Sequence, residues 1–247
     1  MKELEDYSWF PEGLRRQQTE YIGWMVRAFR VYRNVPELMR KHFPPKALLQ
    51  ITDMGSRSGG PLPQLSRHAA FKESRFLLTD LYPQAQLSLP ERCTYHPSPA
   101  DARNYEPISG SSISFFNTFH HFSNEEQKAI IARHLSKGHC LLVAEILTPD
   151  IWCALRILLA TTVSQVLLAP LVKPFRLSRL LFTWVIPINI LTVTWDGLIS
   201  VSKSPGKQLR RELAAYASSL GAKACWIQAG SKLLPVQLFL CTPEAEK

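Results

Sequence analysis

Leu48-Leu49-Gln50-Ile51-Thr52-Asp53-Met54-Gly55-Ser56-Arg57-Ser58-Gly59-Gly60-Pro61 is an apolar run that ends in an acid and breaks into a glycine-rich turn. A short apolar run bounded by turn residues suits a strand buried on both faces of a parallel sheet. The glycines let the backbone of the turn come close to a small ligand, and a helix starting behind it offers unpaired N–H groups. A second run, Phe76-Leu77-Leu78-Thr79-Asp80, follows and also closes on an acid. In open parallel sheets the carboxylate closing the second strand is placed to bind a ribose diol. The two runs, in this order, point to a ligand that carries a nucleoside.

Outward from these strands the chain alternates. Apolar residues at helical spacing (Leu14, Tyr21, Trp24, Met25, Ala28, Phe29, Tyr32) predict a helix over residues 14–33, and a shorter one over 35–41 is stopped by Pro44 and Pro45. A helix is expected over 61–71, a third strand over 93–96, a fourth over 112–117 and a fifth over 140–145. Ser123, with Glu125 and Glu126 in the next turn, caps a helix through Leu135 that Gly138 ends. Strands alternating with helices describe a parallel sheet covered on both faces. The tail departs from this rhythm: an amphipathic helix over 207–220 precedes strands over 222–229 and 235–241, joined through Gly230-Ser231-Lys232. So short a connection makes them an antiparallel hairpin at the sheet edge. The fold class expected is α/β, a doubly wound seven-stranded sheet with an antiparallel closing hairpin.

With 247 residues and 46% hydrophobic content, the chain can bury a full core in one large domain, and it shows no internal repeat. The five cysteines (Cys93, Cys140, Cys153, Cys225, Cys241) have no metal-ligand spacing; they read as reduced and mostly buried in a cytosol-facing protein, and no metal is expected. Acids in Met1-Lys2-Glu3-Leu4-Glu5-Asp6 stand where a signal peptide needs an apolar core, so secretion is not expected. The net charge of +9 is unevenly placed: from Ile151 to Arg211 eight basic residues meet one acid, Asp196, in the most apolar part of the chain. Cations beside apolar surface suit an anionic membrane face better than nucleic acid, which selects basic patches mixed with polar and stacking residues.

Residues 151–172 are interrupted only by Arg156, Gln165 and a few hydroxyls, and they reach the roughly 20 residues that cross a bilayer. A second apolar run, 180–195, contains Pro187 and Asn189, and Lys173, Arg176 and Arg179 lie between the two. A single crossing would part the closing hairpin from the strands it pairs with. An apolar helical insertion after strand five, dipping into one leaflet with Trp152, Trp184 and Trp195 as anchors, is therefore expected. The plainer alternative is two helices packed as a soluble cap or in a dimer. As a lid over the open end of the sheet, the insertion would favour a lipophilic substrate. The expected division is an N-terminal helical cap (1–46), a ligand-binding core (47–150), the insertion (151–200), and a helix and hairpin completing the core (201–247).

The order of elements resembles the class I S-adenosylmethionine-dependent methyltransferases, whose Rossmann-like sheet has an antiparallel seventh strand. Asp53-x-Gly55-x-Arg57-x-Gly59 is similar to that family's first motif, an acid followed by three alternating glycines. Asp80 falls at the ribose-binding acid, Asp101 at the acid that contacts the adenine amine, and Phe116-Asn117-Thr118-Phe119-His120-His121-Phe122 at the fourth motif, which faces the methyl donor. Five blocks more narrowly resemble a mostly bacterial subgroup: Trp9-Phe10-Pro11, Ser58-Gly59-Gly60-Pro61, Leu78-Thr79-Asp80-Leu81-Tyr82-Pro83, His120-His121-Phe122 and Trp195-Asp196-Gly197-Leu198-Ile199-Ser200. The resemblance spans nearly the whole chain. It departs from the pattern at Arg57, in place of the middle glycine and within reach of the donor's carboxylate, and at Ser202-Lys203-Ser204-Pro205, where the subgroup continues with Leu-Arg and an aromatic.

The resemblance implies a methyltransferase that moves a methyl group from S-adenosylmethionine to an oxygen, nitrogen or carbon of a small molecule, and the apolar insertion adds the expectation of a membrane location and a lipophilic acceptor, such as a lipid, quinone or polyketide. Asp53, Gly55, Arg57, Gly59, Asp80, Asp101 and Asn117 would hold the donor. His120 or His121 would remove a proton from the acceptor, a role that suits the histidine side chain, and Asp196 would meet the substrate. Each has a plainer reading: Asp53 and Asp80 as helix caps, Asp101 as a loop acid, one histidine as a buried structural one, and Asp196 as a turn residue with a cation for partner. Two other functions stay open, an enzyme using S-adenosylmethionine for non-methyl transfer to a quinone and an inactive membrane-associated nucleoside-binding protein. The glycine spacing argues against a dinucleotide oxidoreductase.

Overall fold

The computed structural model describes residues 2–57, 59–83 and 88–244. They fall into two compact units, one of residues 1–29 with 147–204 and the other of 30–146 with 205–247. We refer to these as the helical unit and the sheet unit.

In chain order the elements are α1 (Glu12–Ala28), α2 (Val35–His42), β1 (Gln50–Met54), α3 (Leu62–Leu65), β2 (Arg75–Thr79), β3 (Cys93–Tyr95), β4 (Ser112–Phe116), α4 (Asn124–Leu135), β5 (Cys140–Glu145), α5 (Ile151–Thr161), α6 (Val163–Leu168), α7 (Leu177–Leu180), α8 (Ile188–Lys203), α9 (Lys207–Ser219), β6 (Ala222–Gly230) and β7 (Pro235–Pro243). The sheet runs β3-β2-β1-β4-β5-β7-β6. The first five strands are parallel, and β7 lies antiparallel to both β5 and β6. This is the seven-stranded doubly wound sheet with a closing hairpin. Strand order reverses between β1 and β4, so the crevice for a ligand opens at the carboxyl ends of those two strands. Every residue of β5 is buried, as a central strand covered on both faces requires. Ile113, Phe115, Phe119, Ile131, Leu141 and Phe239 form the heart of the core. Ser123 caps α4 through a full capping box with Glu126.

Two expected helices end early. The helix over 61–71 is in fact α3 followed by a separate 3-10 turn, Ala69–Phe71, because His68 adopts an extended backbone and its Nδ1 accepts the N–H of Ala70 at 3.2 Å. The helix over 14–33 stops at Ala28, and Arg30 takes a left-handed φ of 48° just beyond it. The segment 1–46 accordingly divides, with α1 in the helical unit and α2 in the sheet unit.

Within the helical unit the apolar run 151–172 bends at Thr162, between α5 and α6. The hydroxyl of Tyr21 donates to the carbonyl of Ala160 at 2.5 Å beside this bend. The second apolar run breaks at Ile186-Pro187, and its two parts meet at 81°, as expected where proline removes a helical donor. Helices α5 and α8 pack closely: a Cβ at Gly197 would stand 2.6 Å from Ile157 Cγ2, and the hydroxyls of Thr161 and Thr194 bond at 2.8 Å.

Candidate functional site

The first-motif turn is pinned by its neighbours in the sheet unit. The N–H groups of Gly55 and Ser56 both donate to the carbonyl of Thr79 at 2.9 Å, and the N–H of Arg57 donates to Asp80 Oδ2 at 2.9 Å. The hydroxyl of Tyr95 donates to the carbonyl of Arg57 at 3.1 Å. Gly55 has φ +76°, and a Cβ there would collide with Thr118 Cγ2 at 2.4 Å. Only glycine fits that position. Arg57, in place of the family's middle glycine, still has a left-handed φ of 37°. The turn thus keeps a glycine-type conformation around a bulky cation. Gly59 completes it at φ +89°.

Asp80 is buried, with Oδ1 accepting the N–H of Tyr82 at 2.8 Å and Oδ2 that of Arg57. A carboxylate oxygen can take more than one donor, so both oxygens keep capacity for the two hydroxyls of a diol. Asp53 is spent differently. Its Oδ1 accepts the hydroxyl of Ser114 at 2.7 Å and its Oδ2 that of Ser56 at 2.6 Å, tying the turn to β4. Burial pushes its carboxyl up to about 7 against the pull of the two hydroxyls, with the charge of Asp80 adding to the rise.

Asp101 is held by its own neighbour. The Arg103 guanidinium bonds both its oxygens, at 2.9 and 2.6 Å, and keeps the carboxyl below its ordinary range. The N–H of Ala100 donates to the carbonyl of Asp80 at 2.9 Å, which brings this loop beside the second acid. Asn117, at φ +52°, donates its N–H to the carbonyl of Ala144 at 2.8 Å and accepts the N–H of Ile146 through Oδ1 at 3.4 Å. It locks the end of β4 to the end of β5.

The two histidines sit in a 3-10 turn, Phe119–His121, directly after β4. His120 Nδ1 lies 2.9 Å from Glu145 Oε2, and the N–H of His120 donates to Glu145 Oε1 at 3.2 Å. Both side chains are only 1% exposed. His120 Nε2 has no hydrogen-bond partner among the described residues. The ring of His121 lies beside that of His120, with centroids 4.5 Å apart. In His120 a carboxylate orients the ring, the arrangement that fixes a tautomer and leaves Nε2 as the nitrogen that can accept a proton.

Sequence reading missed two residues here. Glu145 was legible only as the acid closing strand five. Its link to His120 follows from strand order, since adjacent parallel β4 and β5, with Phe116 opposite Ala144, end at the same edge. Tyr32 counted there as one apolar position of a helix. It is buried edge-on against Phe116, with its hydroxyl 3.5 Å from the carbonyl of Ala144. Burial, and the charges of Glu145 and Asp53, push its phenol far above the ordinary tyrosine value.

Asp196 lies on α8 in the helical unit. Its Oδ1 accepts the N–H of Leu4 at 2.5 Å, and its Oδ2 accepts the N–H of Glu5 at 3.2 Å and the amide of Gln18 at 2.6 Å. It caps the 3-10 turn Leu4–Asp6, and its partners are backbone and amide donors rather than the cation expected.

No protein-family model matches the chain, and no curated protein matches it. In fold it is similar to human N-acetylserotonin methyltransferase, solved in complex with S-adenosylmethionine, with a TM-score of 0.52 and 13% identity over 94% of this chain. It is likewise similar to TnmH, with a TM-score of 0.51 and 16% identity over 94% of this chain. The chain spans 58% of the length of each. The chain therefore has the Rossmann-like α/β fold found in that methyltransferase, with its hairpin β5-β7-β6 and an apolar helix following β5.

Proposed function

We propose that this protein is an S-adenosylmethionine-dependent methyltransferase that acts on a lipophilic small molecule at the cytoplasmic face of a membrane, with His120 as general base. The observation that carries this reading is the buried His120–Glu145 pair at the carboxyl edge of the sheet, beside a turn whose glycines and acid suit a nucleoside. Glu145 holds Nδ1 of His120, so Nε2 is the nitrogen that takes a proton from an acceptor hydroxyl or amine. S-adenosylmethionine supplies a methyl group on a cationic sulfur already primed to leave, so the chain's main tasks are positioning the acceptor and excluding water. The backbone of Gly55, Arg57 and Gly59 would cradle it, Asp80 would take its sugar hydroxyls, and Asp101 would face its base once Arg103 yields. The S-adenosylmethionine bound to human N-acetylserotonin methyltransferase, which shares this fold, supports the choice of donor. The apolar helices that begin at Ile151, six residues after Glu145 in the chain, support a lipophilic acceptor and a membrane location.

The test pairs binding with turnover. Calorimetry should show the wild-type protein binding S-adenosylmethionine, and Asp80→Ala weakening it about 10- to 100-fold, the worth of a hydrogen-bonded charged group. His120→Ala should keep donor affinity and lower turnover on lipid-extract acceptors about 10²- to 10⁴-fold. Absence of donor binding by the wild-type protein, or a product whose mass gain differs from one methyl group, overturns the reading.

A further inference from the structure

We infer that the helical unit docks by burying its own outer face in the acyl layer of a single leaflet, and that this docking is indifferent to lipid charge. It rests on the membrane location proposed above and deepens it by naming what is recognised. The unit is polar inside and apolar outside. Within it, the amide of Asn189 donates to Gln17 at 2.9 Å, and Arg179, buried, donates to the carbonyls of Val172 and Pro174 and to Glu20. On its surface, Trp152 is 69% exposed, Leu177 75%, Val185 72% and Leu191 66%. The exposed apolar side chains are spread over α5, α7, α8 and the turns between them. A second copy of the chain would cover one patch; a fluid acyl layer covers them all. Helices joined through small residues and hydroxyls, as α5 and α8 are at Gly197 and Thr161–Thr194, are also the packing that suits an apolar solvent.

Three cations of the basic run read in the sequence are taken up by acids of the same unit. Glu20 bonds the Arg176 guanidinium through both oxygens, at 2.7 and 2.8 Å, and also takes Arg179. Glu3 and Asp6 pair with Lys203 at 3.1 and 3.8 Å. The acids come from residues 1–29, and the whole unit holds nine basic and seven acidic residues. Headgroup attraction needs unpaired cations, and Arg176, Arg179 and Lys203 each face a carboxylate of the same chain.

The same ion pairs set the depth. Arg176 lies in the turn between the two apolar runs, and Glu20 sits midway along α1, eight residues or about 12 Å from its last residue, Ala28. Helix α1 also carries Glu12, Arg15, Arg16 and Arg27. A turn tied to the middle of a charged helix does not stand a hydrocarbon thickness of about 30 Å beyond it. The apolar runs therefore enter one leaflet and return.

The experiment is flotation of the full-length protein with phosphatidylcholine vesicles, with and without phosphatidylserine, at low and high salt. We expect flotation on pure phosphatidylcholine, changed by less than about twofold by phosphatidylserine or salt. Leu159→Lys with Leu191→Lys, both at exposed positions, should leave the protein in buffer, whereas Lys173→Ala should change nothing. Brominated acyl chains should quench Trp152 and Trp184 when carried by the outer leaflet alone. Flotation confined to phosphatidylserine at low salt, no flotation, or a discrete dimer in buffer that the double substitution dissociates overturns the inference. Calorimetry of S-adenosylmethionine on the double variant separates the two readings: retained binding with lost flotation concerns docking only, and lost binding by the wild-type protein concerns the enzyme only.

Discussion

The sheet unit and the helical unit solve the problem of a stable interior by opposite means. In the sheet unit Ile113, Phe115, Leu141 and Phe239 are fully buried and the hydrophobic effect supplies the non-directional drive. In the helical unit the buried apolar cluster is small, Tyr21, Val172 and Val193, and the interior is held by Gln17, Gln18, Glu20, Arg179, Asn189 and Asp196. Those groups bond one another with defined geometry, which is the requirement for burying polar atoms at all. The difference teaches that apolar content along a chain does not say which side faces inward: the apolar stripe that is core in one unit is surface in the other.

Truncation breaks this comparison most sharply. Phe115→Ala should cost about 3–5 kcal/mol of unfolding free energy. Asp196→Ala removes three hydrogen bonds and leaves the half-buried N–H groups of Leu4 and Glu5 and the buried amide of Gln18 unmatched, so it should cost about 3 kcal/mol or more. Leu191→Asn, a large apolar side chain changed at the surface of the helical unit, should stay within about 0.5 kcal/mol in buffer. Urea titration of the three variants checks this, and a Leu191→Asn cost equal to that of Phe115→Ala would break the inside-out description.

Acid sharpens it next. His134 is buried in the sheet unit with no hydrogen-bond partner on either ring nitrogen among the described residues, and burial, with the charge of neighbouring His139 adding, lowers its pKa to about 4. The folded value lies below the unfolded one near 6.5, so the unfolded chain binds the proton first. The stability that neutral His134 carries is fully present above 6.5 and is lost as pH falls through 4, about 3 kcal/mol in all. Asp53, raised to about 7, runs the other way: the folded protein keeps a proton that the unfolded chain has released, so its contribution falls as pH rises toward 7. Wild-type protein and His134→Leu, compared by urea midpoint between pH 4 and 7, should diverge on the acid side. The polar interior of the helical unit, where Asp196 and Glu20 hold partners, has no histidine to add to this titration.

The sheet was legible because strands buried on both faces read as continuous apolar runs, and the hairpin because nothing but a short connection joins its strands. Element ends were less so. His68 turns the backbone by a local bond to Ala70, and Arg30 breaks α1 in a left-handed conformation that no glycine announces. At the site, Asp80 and the two histidines stood out because they follow closely on strands. The pairing of His120 with Glu145 needs the order of strands in space, which spacing does not carry. The ion pair that takes up Arg176 was hidden for the same reason, since Glu20 lies 156 residues before it.

Close packing in the helical unit offers a smaller effect. Gly197→Ala sets a Cβ against Ile157 and should cost about 1–3 kcal/mol, as overpacking does. The same change at Gly13, where a Cβ meets nothing, should stabilise α1 slightly. Thermal midpoints of the two variants should therefore move in opposite directions.

The smallest effect concerns strain stored at the glycine-rich turn after β1. Arg57 holds φ +37°, a conformation that disfavours any side chain with a Cβ by about 1–2 kcal/mol, while glycine gives back about 0.5–1 kcal/mol in unfolded-chain entropy. Arg57→Gly should thus raise stability by about 0.5–1 kcal/mol, whereas Arg57→Ala, which keeps the Cβ, should leave it nearly unchanged. If the guanidinium reaches the carboxylate of S-adenosylmethionine, both substitutions weaken donor binding equally, so affinity falls where stability rises in one variant and is level in the other. Equal stability for glycine and alanine would remove strain from the account of this turn and leave Arg57 as an ordinary loop residue of the sheet unit.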